Sequence, residues 1–214
     1  YIIDRYNGSP TNRAIIDSYS QFIYGKGLTS LEKNIKPLQF SMVQNILPKK
    51  QLRPIVQDYS LYSESALELV YKQGELKSIY HVPTNQIAPN KMNEDGEIDI
   101  YWYSQDFSKI SKFPPKDIKA WKPGDKRRNG SYIYIIKTYE AGRTYYNNPC
   151  YLPCLQYAHM EEEISNYYIN HIYNGFSAGH IFNMNNGEPQ SEEEKRAIIC
   201  DLKTSGTGSS NAGK

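Results

Sequence analysis

Three groupings of side chains could carry chemistry. Gly208, Ser209, Ser210, Asn211, Ala212, Gly213 and Lys214 fit the phosphate-cradling spacing G-x-x-x-x-G-K. Such a loop holds phosphate when a strand delivers it and a helix follows, because its backbone N–H groups must converge at a helix N-terminus. Here the preceding run predicts a helix, and no buried run ending in Asp stands ready for Mg²⁺, so a solvated Gly/Ser loop is the simpler reading. His159 lies two residues before Glu161, Glu162 and Glu163, and close behind Cys150 and Cys154. That spacing lacks the i, i+4 ligand pair of a zinc helix, and no second cysteine pair completes a tetrahedron. A solvated acidic patch and small buried thiols are predicted instead. His81, His171 and His180 are scattered, and no G-x-S-x-G run occurs. No catalytic, cofactor-binding or metal-binding residue is assigned.

The third grouping is basic. Lys109, Lys112, Lys116, Lys119, Lys122, Lys126, Arg127 and Arg128 carry eight positive charges, reduced to six by Asp117 and Asp125, and are interleaved with Phe113 and Trp121. Such a run can contact phosphates, each neutralised phosphate adding salt-sensitive affinity. The simpler reading is an exposed loop kept soluble by lysine, or one facing an acidic neighbouring subunit.

The elements that must position these residues follow from periodicity. Ser9 and Pro10 open a helix as N-cap and first-turn proline. Ile15, Ile16, Tyr19, Phe22 and Ile23 give it an amphipathic face, and Gly25 and Gly27 end it. Pro37, Pro48 and Pro54 divide residues 31–58 into short apolar pieces, with a helix possible over 38–47. Leu67, Leu69 and Tyr71, a turn at Gln73-Gly74, then Ser78, Tyr80 and Val82 form a hairpin pattern. Residues 97–103 and 131–139 read as strands, and 109–128 as mostly loop because of Pro114, Pro115, Pro123 and Gly124. After Pro153 a helix runs to Asn174, with Leu155, Ala158, Ile164, Tyr168 and Ile172 on one face and Gly175 closing it. A strand over 177–183, a turn at Asn185-Asn186-Gly187, and a helix capped by Ser191 and Glu194 complete the order. That last helix is expected to bury Ile198, Ile199 and Leu202.

Strands and helices mix without a βαβ rhythm, which predicts an α+β fold of antiparallel or mixed sheets with several amphipathic helices. A single domain over 1–204 is expected, divisible into 1–140 and 141–204, followed by a flexible tail over 205–214. The length of 214 residues allows a real core, and 39% hydrophobic residues with 22% charged residues exclude a membrane span or general disorder. A net charge of +2 gives no overall pull toward nucleic acid, and three cysteines are too few for a disulfide framework. Tyrosine is abundant: 20 residues, ten of them within the 42 residues from Tyr132 to Tyr173. Rings with a polar tip suit partly wet contact surfaces.

Residues 145–214 resemble the middle of tailed-bacteriophage portal proteins. The shared order is a Tyr-rich entry before a proline, a long helix ending in N-G-F, a small-residue strand, a capped helix, and a loop with N-A-G-K. Residues 5–28 are similar to that family's first helix, with its Ser-Pro start and glycine-rich end. Residues 66–103 are similar in outline, a hairpin with Y-x-x-G-E-L followed by a His-Val-Pro step. The resemblance implies the wing part of a portal subunit, lying before stem, clip and crown, within a longer chain. It implies a ring, typically dodecameric, at one capsid vertex, through which double-stranded DNA passes without sequence reading. The capsid protein and the terminase motor would be partners, and the virion, or the bacterial cytoplasm during assembly or in a prophage, the location. It implies no enzymatic activity, no cofactor and no membrane contact, and favours subunit or capsid contact for the lysines. The alternatives are a P-loop nucleotide-binding protein or a nucleic-acid-binding module using residues 109–128.

Overall fold

The computed structural model of the chain describes residues 1–31, 34–124, 129–173 and 191–206. Among them the chain is α+β, with α-helices and one mixed six-stranded sheet. It divides into two compact units, Tyr1–Leu155 and Gln156–Lys214.

The first unit opens on α1 (Ile2–Gly8) and α2 (Pro10–Tyr24). Ser9 Oγ accepts from the Asn12 N–H at 3.1 Å, and Pro10 sits in the first turn, where its missing N–H costs nothing. Both features follow the sequence pattern, whereas α1 has no counterpart in it. Helix α3 (Pro37–Ile46) matches the apolar piece expected over 38–47. Helix α4 (Lys49–Tyr62) runs through a stretch whose prolines suggest a break. Pro48 is its N-cap, where a helix needs no donor, and Pro54 removes one hydrogen bond shortly after the start. Burial of Ile55 and Leu61 offsets that loss.

The sheet order is β2-β1-β6-β5-β4-β3. Strands β1 (Glu64–Lys72) and β2 (Glu75–Val82) form the expected hairpin, and Gln73 (φ 55°) with Gly74 (φ 82°) makes the left-handed turn that matches strand twist. Strand β6 (Gly130–Lys137) lies antiparallel on the other side of β1. Strands β3 (Ile87–Pro89), β4 (Ile100–Tyr103) and β5 (Lys116–Ala120) complete the sheet, with β5 parallel to β6. The expectation that 109–128 is mostly loop is therefore corrected at β5. Half-buried Ile118 and Ala120 alternate with exposed Lys119, and pairing to β4 and β6 on either side overrides the lysine-rich composition.

Strand β1 is buried on both faces. On one, Ala66, Val82, Ile87 and Ile133 form a cluster bordered by Tyr101, Tyr103, Ile118 and Ile135. On the other, Leu67 and Leu69 pack with Ile55 of α4, and Trp121 donates its indole N–H to the Tyr71 hydroxyl at 3.0 Å. Tyr132 stands edge-on to Tyr71, and Tyr134 edge-on to Trp121.

Polar ties hold α4 to the hairpin. Asp58 Oδ2 accepts from His81 Nε2, the Thr84 N–H and the Thr84 hydroxyl, each at 2.9 Å. Gln51 Oε1 accepts from the His81 N–H at 2.9 Å. Tyr151 donates its hydroxyl to the Leu61 carbonyl at 2.5 Å.

Glu64, at the start of β1, is buried and accepts from the Asn147 N–H at 3.2 Å. Burial pushes its carboxyl above the ordinary 4.5, against the opposing pull of that hydrogen bond and of Lys137. The folded chain thus binds this proton more tightly than the unfolded chain does. The group favours folding below about pH 4.5, and that contribution is lost as pH rises through the raised folded value. Glu64→Gln keeps the acceptor for Asn147 and removes the charge. Its unfolding midpoint in urea should exceed the parent's at pH 8 and fall level with it near pH 4; a variant less stable at both values refutes this account.

Helix α5 (Leu155–Tyr173) starts with buried Leu155 and Ala158. The face expected to continue through Ile164, Tyr168 and Ile172 is instead exposed. In the second unit, α6 (Glu192–Gly206) begins with Ser191 Oγ accepting from the Glu194 N–H at 3.2 Å, the expected cap. Ile199 on α6 is exposed rather than buried. The strand over 177–183, the turn at 185–187, Asn174, Gly175, the Leu202 side chain and the loop 208–214 lie outside the described residues.

Candidate assembly surfaces

Helix α2 is fixed from one side. The Tyr6 hydroxyl donates to Asp17 Oδ1 at 2.5 Å, Gln57 Nε2 donates to the same oxygen at 2.8 Å, and Arg13 stands 3.7 Å from Asp17. Burial opposes ionisation of Asp17, but the Tyr6 and Gln57 hydrogen bonds and Arg13 outweigh it and hold the carboxyl below its ordinary range. This knot joins α1, α2 and α4 and turns Ile16 (3% exposed) and Ser20 inward. The remaining apolar residues of α2 consequently point out: Ile15, Tyr19 and Phe22, the last 84% exposed. With Pro10, Ala14 and Ser18 they line a shallow, mostly apolar concavity. The helical stripe expected to face a core is thus split, one arc inward and one to the surface.

Helix α5 carries a second exposed apolar surface. Tyr157, Met160, Ile164, Tyr167, Tyr168, Ile169, Ile172 and Tyr173 are all exposed. Tyr167 meets both Tyr168 and His171 edge-on, and its hydroxyl lies 2.8 Å from His171 Nε2. The density of tyrosine in the sequence is the signal for this surface.

Among the described residues, the basic side chains have different partners. Lys122 bridges Glu97 and Asp99 at 2.7 and 2.5 Å, and the Asp99 and Glu97 carboxylates hold its ammonium above the usual lysine range. Lys109 lies 3.6 Å from Asp106, and Lys112 stands over the Phe113 ring. Lys116 and Lys119 lie exposed on β5. Lys126, Arg127 and Arg128 fall outside the described residues. Lys122 therefore serves the sheet's own loops, whereas Lys112, Lys116 and Lys119 present charge outward.

Cys150, Cys154 and Cys200 are exposed and form no disulfide, which corrects the expectation of buried thiols at Cys150 and Cys154. Among the described residues, no three His, Cys, Asp or Glu side chains gather into a group that could hold a metal ion. No described helix is long and apolar enough to cross a membrane.

No protein-family model and no curated protein matches the chain. Solved structures do. A chain from the virion of a native gene transfer agent particle matches with a TM-score of 0.62 at 12% identity, over 100% of this chain and 56% of that one. A chain from the neck of the native particle, computed with C12 symmetry, matches with the same score, identity and coverage. A chain from the neck of the empty particle, computed with C6 symmetry, gives 0.60 at 12% identity over 100% and 57%. The fold is shared. The chain spans a little over half the length of the chains it matches.

Proposed function

We propose that this chain is part of a structural subunit of a phage-like particle, of the portal class: one of many copies in a ring at a capsid vertex through which double-stranded DNA is packaged and ejected. The observation that carries the reading is the match of the whole chain to chains of gene transfer agent necks and virions, two of them described with twelvefold and sixfold symmetry. The exposed aromatic and aliphatic faces of α2 and α5 suit a subunit whose work is contact with neighbours. In this reading the protein is not an enzyme and needs no cofactor. Its partners are further copies of itself, the capsid protein, the terminase motor and DNA that slides past, and its place is the virion. Exposed Lys112, Lys116 and Lys119 would make contacts with subunit, capsid or phosphate that ignore base sequence, since base readout would arrest sliding.

The test is to purify the product of the complete reading frame and examine it by native mass spectrometry and negative-stain electron microscopy. Closed rings of uniform stoichiometry are expected. A monomer at every concentration up to that of concentrated stocks would overturn the reading.

A further inference from the structure

We propose that the cleft between α2 and α4 binds a phosphate group, either as the free ion or within the backbone of a nucleic acid. The cleft lies within the first unit and stands whether or not the chain forms a ring. It measures about 820 Å³ and is bordered by Ser20, Gln21 and Tyr24 of α2 and by Lys49, Lys50 and Arg53 of α4. Ser20 is only 4% exposed, yet it lines this cleft, and its hydroxyl makes no hydrogen bond to any described residue. A helical serine usually turns its hydroxyl back to the carbonyl four residues earlier, as Ser60 does to Val56 at 2.9 Å. Ser20 does not. A buried hydroxyl without a partner is costly, because it has left water and gained nothing in exchange. An oxyanion seated in the cleft supplies the missing acceptor.

The rim is cationic. Among the described residues, no carboxylate pairs with Lys49, Lys50 or Arg53. The Arg53 guanidinium lies over the Tyr24 ring at 5.4 Å, a contact that steadies it and leaves its in-plane N–H groups for an anion. Lys49 and Lys50 open α4, whose first turn holds no acid and whose N-cap, Pro48, supplies no side-chain acceptor. Cations at that end of a helix oppose its dipole, so the fold gains nothing from them there. Such breaches of local preference are expected at functional sites. The acid in the lining, Asp17, is already engaged: its Oδ1 accepts from Tyr6 and Gln57, and Arg13 stands 3.7 Å from it. Donors from five residues, Ser20, Gln21, Lys49, Lys50 and Arg53, thus border one cleft. A carboxylate has two oxygens to offer them, whereas a phosphate has more and matches the arginine fork equally well.

The test is equilibrium dialysis of the complete gene product against radiolabelled inorganic phosphate, with a short DNA duplex of arbitrary sequence and polyglutamate as competitors. Saturable binding of phosphate is expected. Ser20→Ala and Arg53→Gln should each weaken it about tenfold, as loss of a hydrogen bond to a charged group does. Lys72→Gln, at the exposed end of β1, should leave it unchanged. Arg53 is exposed, so its variant reads the site even where the serine change disturbs folding. Displacement by the duplex at concentrations far below those of polyglutamate assigns the phosphate to a nucleic-acid backbone, and displacement by neither assigns it to the free ion; both results sustain the site. Displacement by polyglutamate as readily as by the duplex overturns the choice of phosphate in favour of an acidic protein segment. Absence of saturable binding, equal weakening by Lys72→Gln, or full binding by a folded Ser20→Ala variant overturns the site itself.

Discussion

Ile133→Ala should lower the unfolding free energy by about 3 kcal/mol, because a buried large-to-small change forfeits both transfer free energy and the packing around the cavity it leaves. Ile133 is 1% exposed, on the strand between β1 and β5, and it packs in the cluster of Ala66, Val82 and Ile87. These neighbours are anchored in three strands and cannot easily close over the gap. The loss is a large part of the roughly 5–15 kcal/mol by which a domain is usually stable. Trp121 and Trp102, the chain's two tryptophans, both lie in the first unit, so their fluorescence in urea reports the unfolding directly. The midpoint should fall with the slope unchanged, and Ile133→Val should lose about 1 kcal/mol. A loss below about 1 kcal/mol for the alanine variant would show that the cluster repacks.

The second large effect is expected at Asp58. One carboxylate oxygen takes three donors from His81 and Thr84, and the side chains of Asp58 and His81 are 17% and 12% exposed. Asp58→Ala leaves those donors sheltered from water and unmatched, which should cost about 2–4 kcal/mol, since each stranded group forfeits about 1–3 kcal/mol. Asp58→Asn retains an acceptor at the same place and should lose less than half as much. Equal losses in the two variants, measured by the same urea titration, would mean that the site acts through packing rather than through its acceptor oxygen.

Much of this architecture is written locally. Ser9 and Pro10 announce α2, Gln73-Gly74 announces the hairpin, and Ser191 with Glu194 announces α6, because caps and turns are satisfied by residues a few positions apart. Helix α4 and strand β5 are not legible in that way. A proline inside a helix is tolerated only when burial elsewhere on that helix offsets it, and Ile55 meets Leu67 and Leu69 only after the sheet exists. A lysine-rich strand such as β5 is held by its neighbours on both sides, which no short window contains. The surfaces show the same limit. Spacing identifies Ile15, Ile16, Tyr19 and Phe22 as one apolar helix, but the tie from Tyr6 and Gln57 to Asp17 decides which arc turns inward. The abundance of tyrosine does reach the surface of α5, where Tyr157, Tyr167, Tyr168 and Tyr173 are exposed, since a ring with a hydroxyl tolerates water.

The two borders of the sheet carry one more implication. Strand β3 is three residues long and ends in Pro89, which has no N–H to offer. On the opposite border, the His81 N–H is already engaged by Gln51, and Glu75 and Lys77 project close to the turn. A stray strand from another molecule therefore meets one border that is short and ends in proline and another that is partly engaged, which disfavours edge-to-edge pairing. Such blunted borders would suit the ring subunit proposed above, whose copies must gather without running on into a fibre.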